Sequence, residues 1–465
     1  MEGNTTQAGR TACAGGFSVV MARKVLGRVK STGLWEVWAS LPLGNPSQRA
    51  TAYRPEQRIA AVVAGLASGL EGIGPGNLLL RTNSALVQML GGRFPDQGTI
   101  HRWLEQTTPA QAAALRSHLH EVVRTHGEFW KTLRSPERLI VDIDAQGLVA
   151  RGQRFQGAAV GYLGDGLDRG YQRYVASVAQ TDEILDEFVR PGNTNLMSQL
   201  PAVLEGLNEV FAKEWRDRVI CRIDSHGGTA ANLRELARCG YHYISRLHSH
   251  SAQKRLRREV AGAPGRMFCG TDSTGRSREV ECWDVPAWTF QGRDRQPVTT
   301  RAVLFREPDR KKPRKDRWWT VVTDLPEQPA EDLWSGYHQR GGTIEELCDQ
   351  SEAGFHLDIL RTSHLAGLNA LHALVALCWN LIRWSTEDLQ LPPPLTPTAD
   401  PARWVPARSL DLRHLLERAS HCGLLLIQIT IQAPLEAECP NCSPESKAWL
   451  HWLNEPIQYR FALAG

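Results

Sequence analysis

The stretch Arg138-Leu-Ile-Val-Asp-Ile-Asp-Ala-Gln-Gly147 decides the fold. Leu139, Ile140, Val141 and Ile143 surround two carboxylates, Asp142 and Asp144. A short β-branched run closed by a Gly reads as a buried strand. Side chains alternate along a strand, so Asp142 and Asp144 share one face while Val141 and Ile143 share the other. Burying acids is costly unless a cation or hydrogen bonds compensate. Two readings follow. One is a metal-binding acid on a central strand, because hard divalent cations such as Mg2+ take carboxylate and phosphate oxygens. The other is an acid at a strand end that caps the following turn. The stretch alone leaves both open.

Downstream, residues 147–157 read as a turn, and 160–163 with Tyr171–Val178 as an antiparallel pair. A helix over 197–213 precedes a second apolar strand from Val219, which delivers Asp224 at its end just before Gly227-Gly228. A helix over 230–237 and a strand over 241–247 follow. Strands first, then strand–helix–strand alternation, imply an α/β fold: a mixed sheet with helices on its faces.

The character changes over 249–330. Lys254, Arg255, Arg257 and Arg258 cluster, and two β-like runs lie at 300–305 and 318–323. Between these runs stand Arg310, Lys311, Lys312, Arg314 and Lys315. Such a run is either a solvated hairpin loop or a contact for DNA phosphate, which steep salt dependence of binding would reveal. Residues 331–384 are helical, and Leu391-Pro-Pro-Pro-Leu-Thr-Pro397 is a rigid linker. A helix over 409–419 and strands over 424–431 and 457–463 complete the expectation.

Upstream, Gly, Thr and Ala and then a basic patch make residues 1–54 read as loosely ordered. Pro55 opens a helix with Ile59, Val62, Val63, Leu66 and Leu70 at three- and four-residue steps. Pro75 starts a second, through Leu78, Leu79, Leu86 and Leu90, closed by Gly91-Gly92. Asp96 caps a third, with Ile100, Trp103 and Leu104 inside and Thr99, His101 and Arg102 outside. The layout is helix-turn-helix-like, suited to DNA-end recognition, although a structural helical bundle has the same pattern. A helix over 110–133 leads to the opening strand.

Composition narrows the classes. The 465 residues, 42% hydrophobic with a net charge of +4, describe a soluble globular chain of two to four units that tolerates nucleic acid without demanding it. Fifteen Trp are mostly for packing, with a few available to stack on bases. Ten Cys without a signal peptide point to reduced thiols, and no run of about 18 apolar residues is expected to span a membrane. Cys439 and Cys442 form a lone CxxC, a weak zinc signal.

A third element sharpens the opening stretch: Tyr337-His-Gln-Arg-Gly-Gly-Thr-Ile-Glu345. Arg clamps phosphate bidentately, Glu completes a metal site and Tyr donates a hydrogen bond. With Pro95–Leu104, Val141-Asp-Ile-Asp-Ala145 and Arg222-Ile-Asp-Ser225, these pieces stand in an order that resembles the DDE transposases of bacterial insertion sequences. The closest flavour has a Tyr-x-x-Arg…Glu…Lys third motif. The resemblance covers roughly residues 96–384.

The resemblance implies an RNase H-like mixed sheet with a β-rich insertion before the last acid. The implied layout is a basic N-terminus (1–54), a helical DNA-binding region (55–135), the first part of the core (136–248), the insertion (249–330), the C-terminal core helices (331–390), and a linker and tail (391–465). Asp144, Asp224 and Glu345 are the implied catalytic acids and metal ligands. Asp144 is preferred over Asp142 because the family's acid sits just before the turn, leaving Asp142 as its supporting neighbour. Two Mg2+ ions, replaceable by Mn2+, would lie about 3.5–4 Å apart and drive phosphoryl transfer. Tyr337, Arg340 and the Arg310–Lys315 run would hold phosphates, and Thr99, His101 and Arg102 would read the DNA end. The implied partners are double-stranded DNA, as terminal inverted repeats and target, and a second copy of the chain in a homodimer. The implied setting is the bacterial cytoplasm, at the nucleoid. Two positions depart from the pattern: Glu352 replaces the motif's Lys, and Gln146 replaces a Thr or Ser. A metal-dependent nuclease on the same fold and a catalytically silent DNA-binding derivative are the alternatives.

Overall fold

The computed structural model describes residues 20–44, 52–164, 166–272, 275–308, 316–387, 389–391, 405–406, 412 and 415–416. In chain order the first helices are α1 (20–31), α2 (Leu34–Ser40), α3 (Pro55–Ala67), α4 (Gly76–Leu79), α5 (Ser84–Met89), α6 (Gln97–Gln106), α7 (Pro109–His126) and α8 (Phe129–Arg134). Strands β1 (Leu139–Val149), β2 (Ala159–Tyr162), β3 (Leu167–Val178) and β4 (Ile184–Pro191) follow. Next come α9 (Leu196–Val210), β5 (Val219–Ile223), α10 (Ala230–Cys239), β6 (His242–Arg246) and α11 (His250–Glu259). Strands β7 (Arg266–Thr271), β8 (Ser277–Gln291), β9 (Pro297–Glu307) and β10 (Arg317–Thr323) lead to α12 (Ala330–Gln339), α13 (Ile344–Phe355) and α14 (Leu365–Ser385).

These elements form two compact units. One takes residues up to Leu119, 152–157 and those from Asp349 on; the other takes His120–Arg151 and Ala158–Cys348. The second holds the large sheet, in the order β2-β3-β1-β5-β6-β10-β9-β8-β7, with β4 also on β3. β1, β5 and β6 run parallel; β3 lies antiparallel on the far side of β1, and β10 antiparallel to β6. This is the expected mixed sheet flanked by helices, with the RNase H-like succession of β4, β3, β1, β5 and β6. Strands β7–β10 extend that same sheet rather than forming a second one.

Strand β1 corrects the opening reading. It does not stop at Asp144 but runs on to Val149, paired with β3 throughout. Gly147 is therefore no turn residue. A Cβ there would lie 2.5 Å from Leu163 Cα, so only glycine lets the two backbones meet. Gly read locally is a breaker, but a long antiparallel partner overrides it.

Beneath the sheet, Ile220, Ile244, Val303, Phe305, Trp319 and Val321 pack against Ala330, Leu333 and Trp334 of α12, with Tyr337 at the margin. Positions 330, 333, 334 and 337 are the i, i+3, i+4, i+7 stripe of one helix face. Gly270 faces the Trp334 ring so closely that a Cβ would sit 2.4 Å from it. This apolar anchoring sets where the next turn, and with it Arg340, emerges.

Three helical expectations change. Residues 20–31 and 34–40, expected to be loose, are helical with Met21, Val25, Leu26, Val29 and Trp38 buried. Gly and Thr at the chain start masked this apolar spacing. The helix from Pro75 is two short ones, because Asn83 accepts from Leu86 N (3.0 Å) and starts α5 anew. The helix over 110–133 breaks at Gly127. The Glu183 carboxylate accepts the N–H groups of Glu128 and Phe129 (2.7 and 2.8 Å) and so begins α8.

In the first unit α14 packs against α3 and α6. By length and composition alone α14 could cross a membrane, yet 83% of its most apolar window is buried inside the protein. It is a core helix that is apolar on all sides because it is surrounded. On α6, Ile100, Trp103 and Leu104 are the buried face, as expected. The six described cysteines are free thiols. The Arg310–Lys315 run, Cys439, Cys442 and the expected tail strands lie outside the described residues, as does the tail helix except at Leu412, Leu415 and Leu416.

Candidate active site

The parallel pairing of β1 with β5 sets Asp142 beside Arg222 in register, two residues before Asp144 within β1 and Asp224 just past the end of β5. Both carboxylates expected to be ligands therefore stand where the parallel pairing of the two strands ends. Arg340, in the tight turn between α12 and α13, reaches back to them. Its Nη2 lies 2.8 Å from Asp144 Oδ1 and donates to the Ile143 carbonyl at 3.2 Å. Its Nη1 lies 3.3 Å from Glu345 Oε1. The guanidinium is 7% exposed, Asp144 is 21% exposed and Glu345 is 59% exposed.

The electrostatics divide the two aspartates. Burial pushes the Asp144 carboxyl above the ordinary carboxylate range; Arg340 opposes that shift and the neighbouring Asp224 charge adds to it. Burial also acts upward on Asp224, but the His226 hydrogen bond, Arg340 and the Gly227 N–H together hold it below the ordinary range. Asp224 Oδ2 lies 3.0 Å from His226 Nδ1, and Asp224 Oδ1 accepts from Gly227 N at 3.1 Å. Desolvation lowers the Arg340 pKa and the acids around it raise it, with a net upward shift. Tyr337 is pushed up to about 12, chiefly by burial, and feels Arg340, Asp224, Arg246 and Asp144.

Asp142 has a different fate. It is fully buried and accepts both nitrogens of one guanidinium edge: Arg222 Nε to Oδ1 at 2.5 Å and Nη2 to Oδ2 at 2.7 Å. The Thr343 hydroxyl donates to Oδ2 at 2.5 Å, and Arg222 Nη1 donates to the Gly336 carbonyl. Asp142 is a sealed strut that ties β1, β5 and the α12–α13 turn together. Gln146, which departs from the transposase pattern, has a similar role. It accepts from Arg173 Nη1 at 3.0 Å, while Arg173 holds Glu187 through two further bonds (2.8 and 3.0 Å), with both partners fully buried.

The other expected residues are placed as follows. Tyr337 lies within electrostatic reach of the acid pair. His101 and Arg102 are exposed on α6 of the first unit, while Thr99 is taken up by its N-cap, donating to Asp96 Oδ2 at 3.1 Å. Glu352, standing for the motif's Lys, is half-buried on α13. Four residues near the acids were missed. Arg222 and Thr343 act through partners 80 and 201 residues away from them, a separation no local pattern reports. His226 follows Asp224 by two residues and was legible in Asp-Ser-His-Gly. Arg246, exposed at the end of β6, was read only as strand.

Among the described residues no three His, Cys, Asp or Glu side chains are gathered closely enough to hold a metal ion. The donor chemistry nevertheless fits a hard divalent cation: the acids Asp144 and Asp224 are like-charged and half-buried, near enough for each charge to act on the other. The buried Arg340 Nε has no hydrogen-bond partner, so this cation is held by charge more than by a closed hydrogen-bond set.

The sequence profile of the family described as transposase DDE domain group 1 matches residues 29–391. Solved structures similar to the chain include a piggyBac transposase synaptic complex with hairpin DNA, at 12% identity and a TM-score of 0.38, covering 96% of this chain and 86% of that one. No curated protein matches.

Proposed function

The chain belongs to the DDE transposase family, whose profile spans most of its length, and on that premise we propose that it cuts DNA at insertion-sequence ends and joins them to target DNA. The observation that carries the reading is the acid pair Asp144 and Asp224 on adjacent parallel strands, sharing the buried Arg340. Asp144, Asp224 and Glu345 would hold Mg2+, or Mn2+ in its place. Bound there, two such ions supply activation of a water or 3′-hydroxyl and charge stabilisation at the leaving oxygen.

The chain's own residues do the positioning. The Asp142–Arg222–Thr343 strut fixes β1 and β5 in register, so the Asp144 and Asp224 carboxylates approach each other without freedom to drift. His226 and the Gly227 N–H hold Asp224 ionised and in one orientation. Arg340 offsets part of the cost of burying the Asp144 charge, and its Nη1 and Nη2 would be released toward a DNA phosphate once the acids are otherwise neutralised. Tyr337, seated on the apolar core, adds a hydroxyl at the rim. His101 and Arg102 on α6 would contact the DNA end, the Arg310–Lys315 run its phosphates, and two copies would act on paired ends.

A plasmid carrying an inverted-repeat pair, incubated with the purified chain and Mg2+, tests this. Asp144→Asn, Asp224→Asn and Glu345→Gln should each abolish nicking while end binding persists. Continued nicking by any one of them would remove that residue from the role. A second reading, a silent DNA-binding derivative, is favoured by the exposed Glu345 paired with Arg340 and by Glu352 and Gln146, which depart from the family's third and first motifs. Sequence-specific binding by a wild-type chain that never nicks would select it.

A further inference from the structure

We propose that α11, with the indoles beside it, is a track for the phosphate backbone of duplex DNA leaving the active site past the end of β6; this rests on the DNA-cleaving reading above. The track begins at the acids. Asp224 is bonded to His226, whose ring lies 5.9 Å from that of His248. One residue later Ser249 caps α11, accepting from Ala252 N at 3.2 Å. Exposed Arg246, at the end of β6, lies on the same rim and acts electrostatically on Tyr337. From there α11 extends about 15 Å, the run of roughly four phosphates along one DNA strand.

The helix is built to present charge. Ala252 and Leu256 are its buried residues, and Gln253 Nε2 donates to the Trp318 carbonyl at 2.9 Å, fastening it to β10. Lys254, Arg255, Arg257 and Arg258 are all exposed. Arg255 is neutralised by Glu259 at 3.1 Å. Among the described residues, Lys254, Arg257 and Arg258 have no carboxylate within ion-pair distance. Arg257 is also held in place: its guanidinium carbon sits 3.9 Å from the Trp318 ring centroid, and Trp318 stacks on Trp283 at 5.4 Å. A guanidinium fixed flat on an indole keeps its edge N–H groups free for phosphate oxygens at little entropic cost. Apart from the Arg255–Glu259 pair, the exposed face of α11 carries three cations with no carboxylate within ion-pair distance among the described residues, one of them held against an indole.

The test is the salt dependence of binding of the full chain to a duplex of about 30 base pairs of arbitrary sequence, without divalent metal. Lys254→Gln/Arg257→Gln is compared with Arg293→Gln/Arg295→Gln, an equal loss of charge in the exposed β8–β9 turn. Lys254→Gln/Arg258→Gln, which disturbs no indole contact, guards against misfolding. Both track variants should flatten the log–log salt slope by about two, at about 0.9 per phosphate contact, and weaken binding about tenfold or more near 0.15 M salt. The turn variant should keep the wild-type slope. Equal slopes in track and turn variants, whether unchanged or equally reduced, would overturn the track, as would a wild type with no salt-dependent binding. A chain that nicks DNA but ignores the track substitutions refutes the track alone; one that shows the track-dependent slope but never nicks refutes only the cleavage reading.

Discussion

Asp142 and Asp144 stand two residues apart on one strand, point to one face, and each meets an arginine. Their surroundings differ in every other respect. Asp142 is fully buried, chelates Arg222 through both oxygens and takes a third bond from Thr343. Asp144 is 21% exposed, shares Arg340 with Glu345, and has Asp224 close enough to repel it. A carboxylate whose two oxygens are both bonded by its own protein and closed off from solvent is not open to a ligand. One left half-compensated and accessible can still accept a cation. The contrast teaches that satisfaction of hydrogen bonds, and not burial or sequence motif alone, separates a sealed acid from one still open to a ligand.

The comparison can be broken in four ways. The largest effect belongs to Asp144→Asn: DNA nicking should fall by about 10⁴-fold or more, as when one member of a catalytic set is removed. Thermal stability should barely change, since Arg340 retains Glu345 and the Ile143 carbonyl. A nicking assay paired with a melting curve checks both halves. Asp142→Ala should do the reverse in kind, costing about 3–5 kcal/mol because Arg222 is left buried without its partner. Denaturant titration measures it, and a variant as stable as wild type would erase the distinction drawn here. Thr343→Val removes one hydroxyl donor from the same strut and should cost about 1–3 kcal/mol, with nicking reduced only as far as folding is.

The smallest effect lies in the other unit. Glu105 is another satisfied carboxylate, accepting from Thr362 Oγ1 (2.9 Å) and Ser363 N (2.8 Å). Burial acts upward on it, but these bonds and His364 hold it below the ordinary carboxylate range. Its contribution is therefore present above the usual Glu pKa of about 4.3 and is lost as pH falls through the lower folded value. Glu105→Gln should lower stability by about 1 kcal/mol at pH 7 and flatten the acid limb of the stability profile below about pH 4.5.

Much of the fold was legible because the paired stretches Leu139–Ile143 of β1 and Val219–Ile223 of β5 are mostly apolar and β-branched, and because α12 carries an unbroken i, i+3, i+4, i+7 stripe. The family pattern sets the acid just before a turn, whereas β1 continues past Asp144, which differs from Asp142 in being open and beside Asp224. Gly147 misled because a glycine demanded by a backbone crossing looks like one demanded by a turn. Gln146 looked like a defect in the motif, yet it completes the buried Arg173–Glu187 pair, a partnership made across strands. The strut could not be read at all: its members are brought together only by the finished sheet.

That strut also has a timetable. Arg222 follows Asp142 by 80 residues and Thr343 follows it by 201. At the usual pace of about 5–20 residues per second, the ribosome delivers Arg222 roughly 4–16 s after Asp142, and Thr343 roughly 10–40 s after it. Until then β1 carries a carboxylate without its full set of partners, so an interior strand of the finished sheet waits for the far end of its own unit to be made.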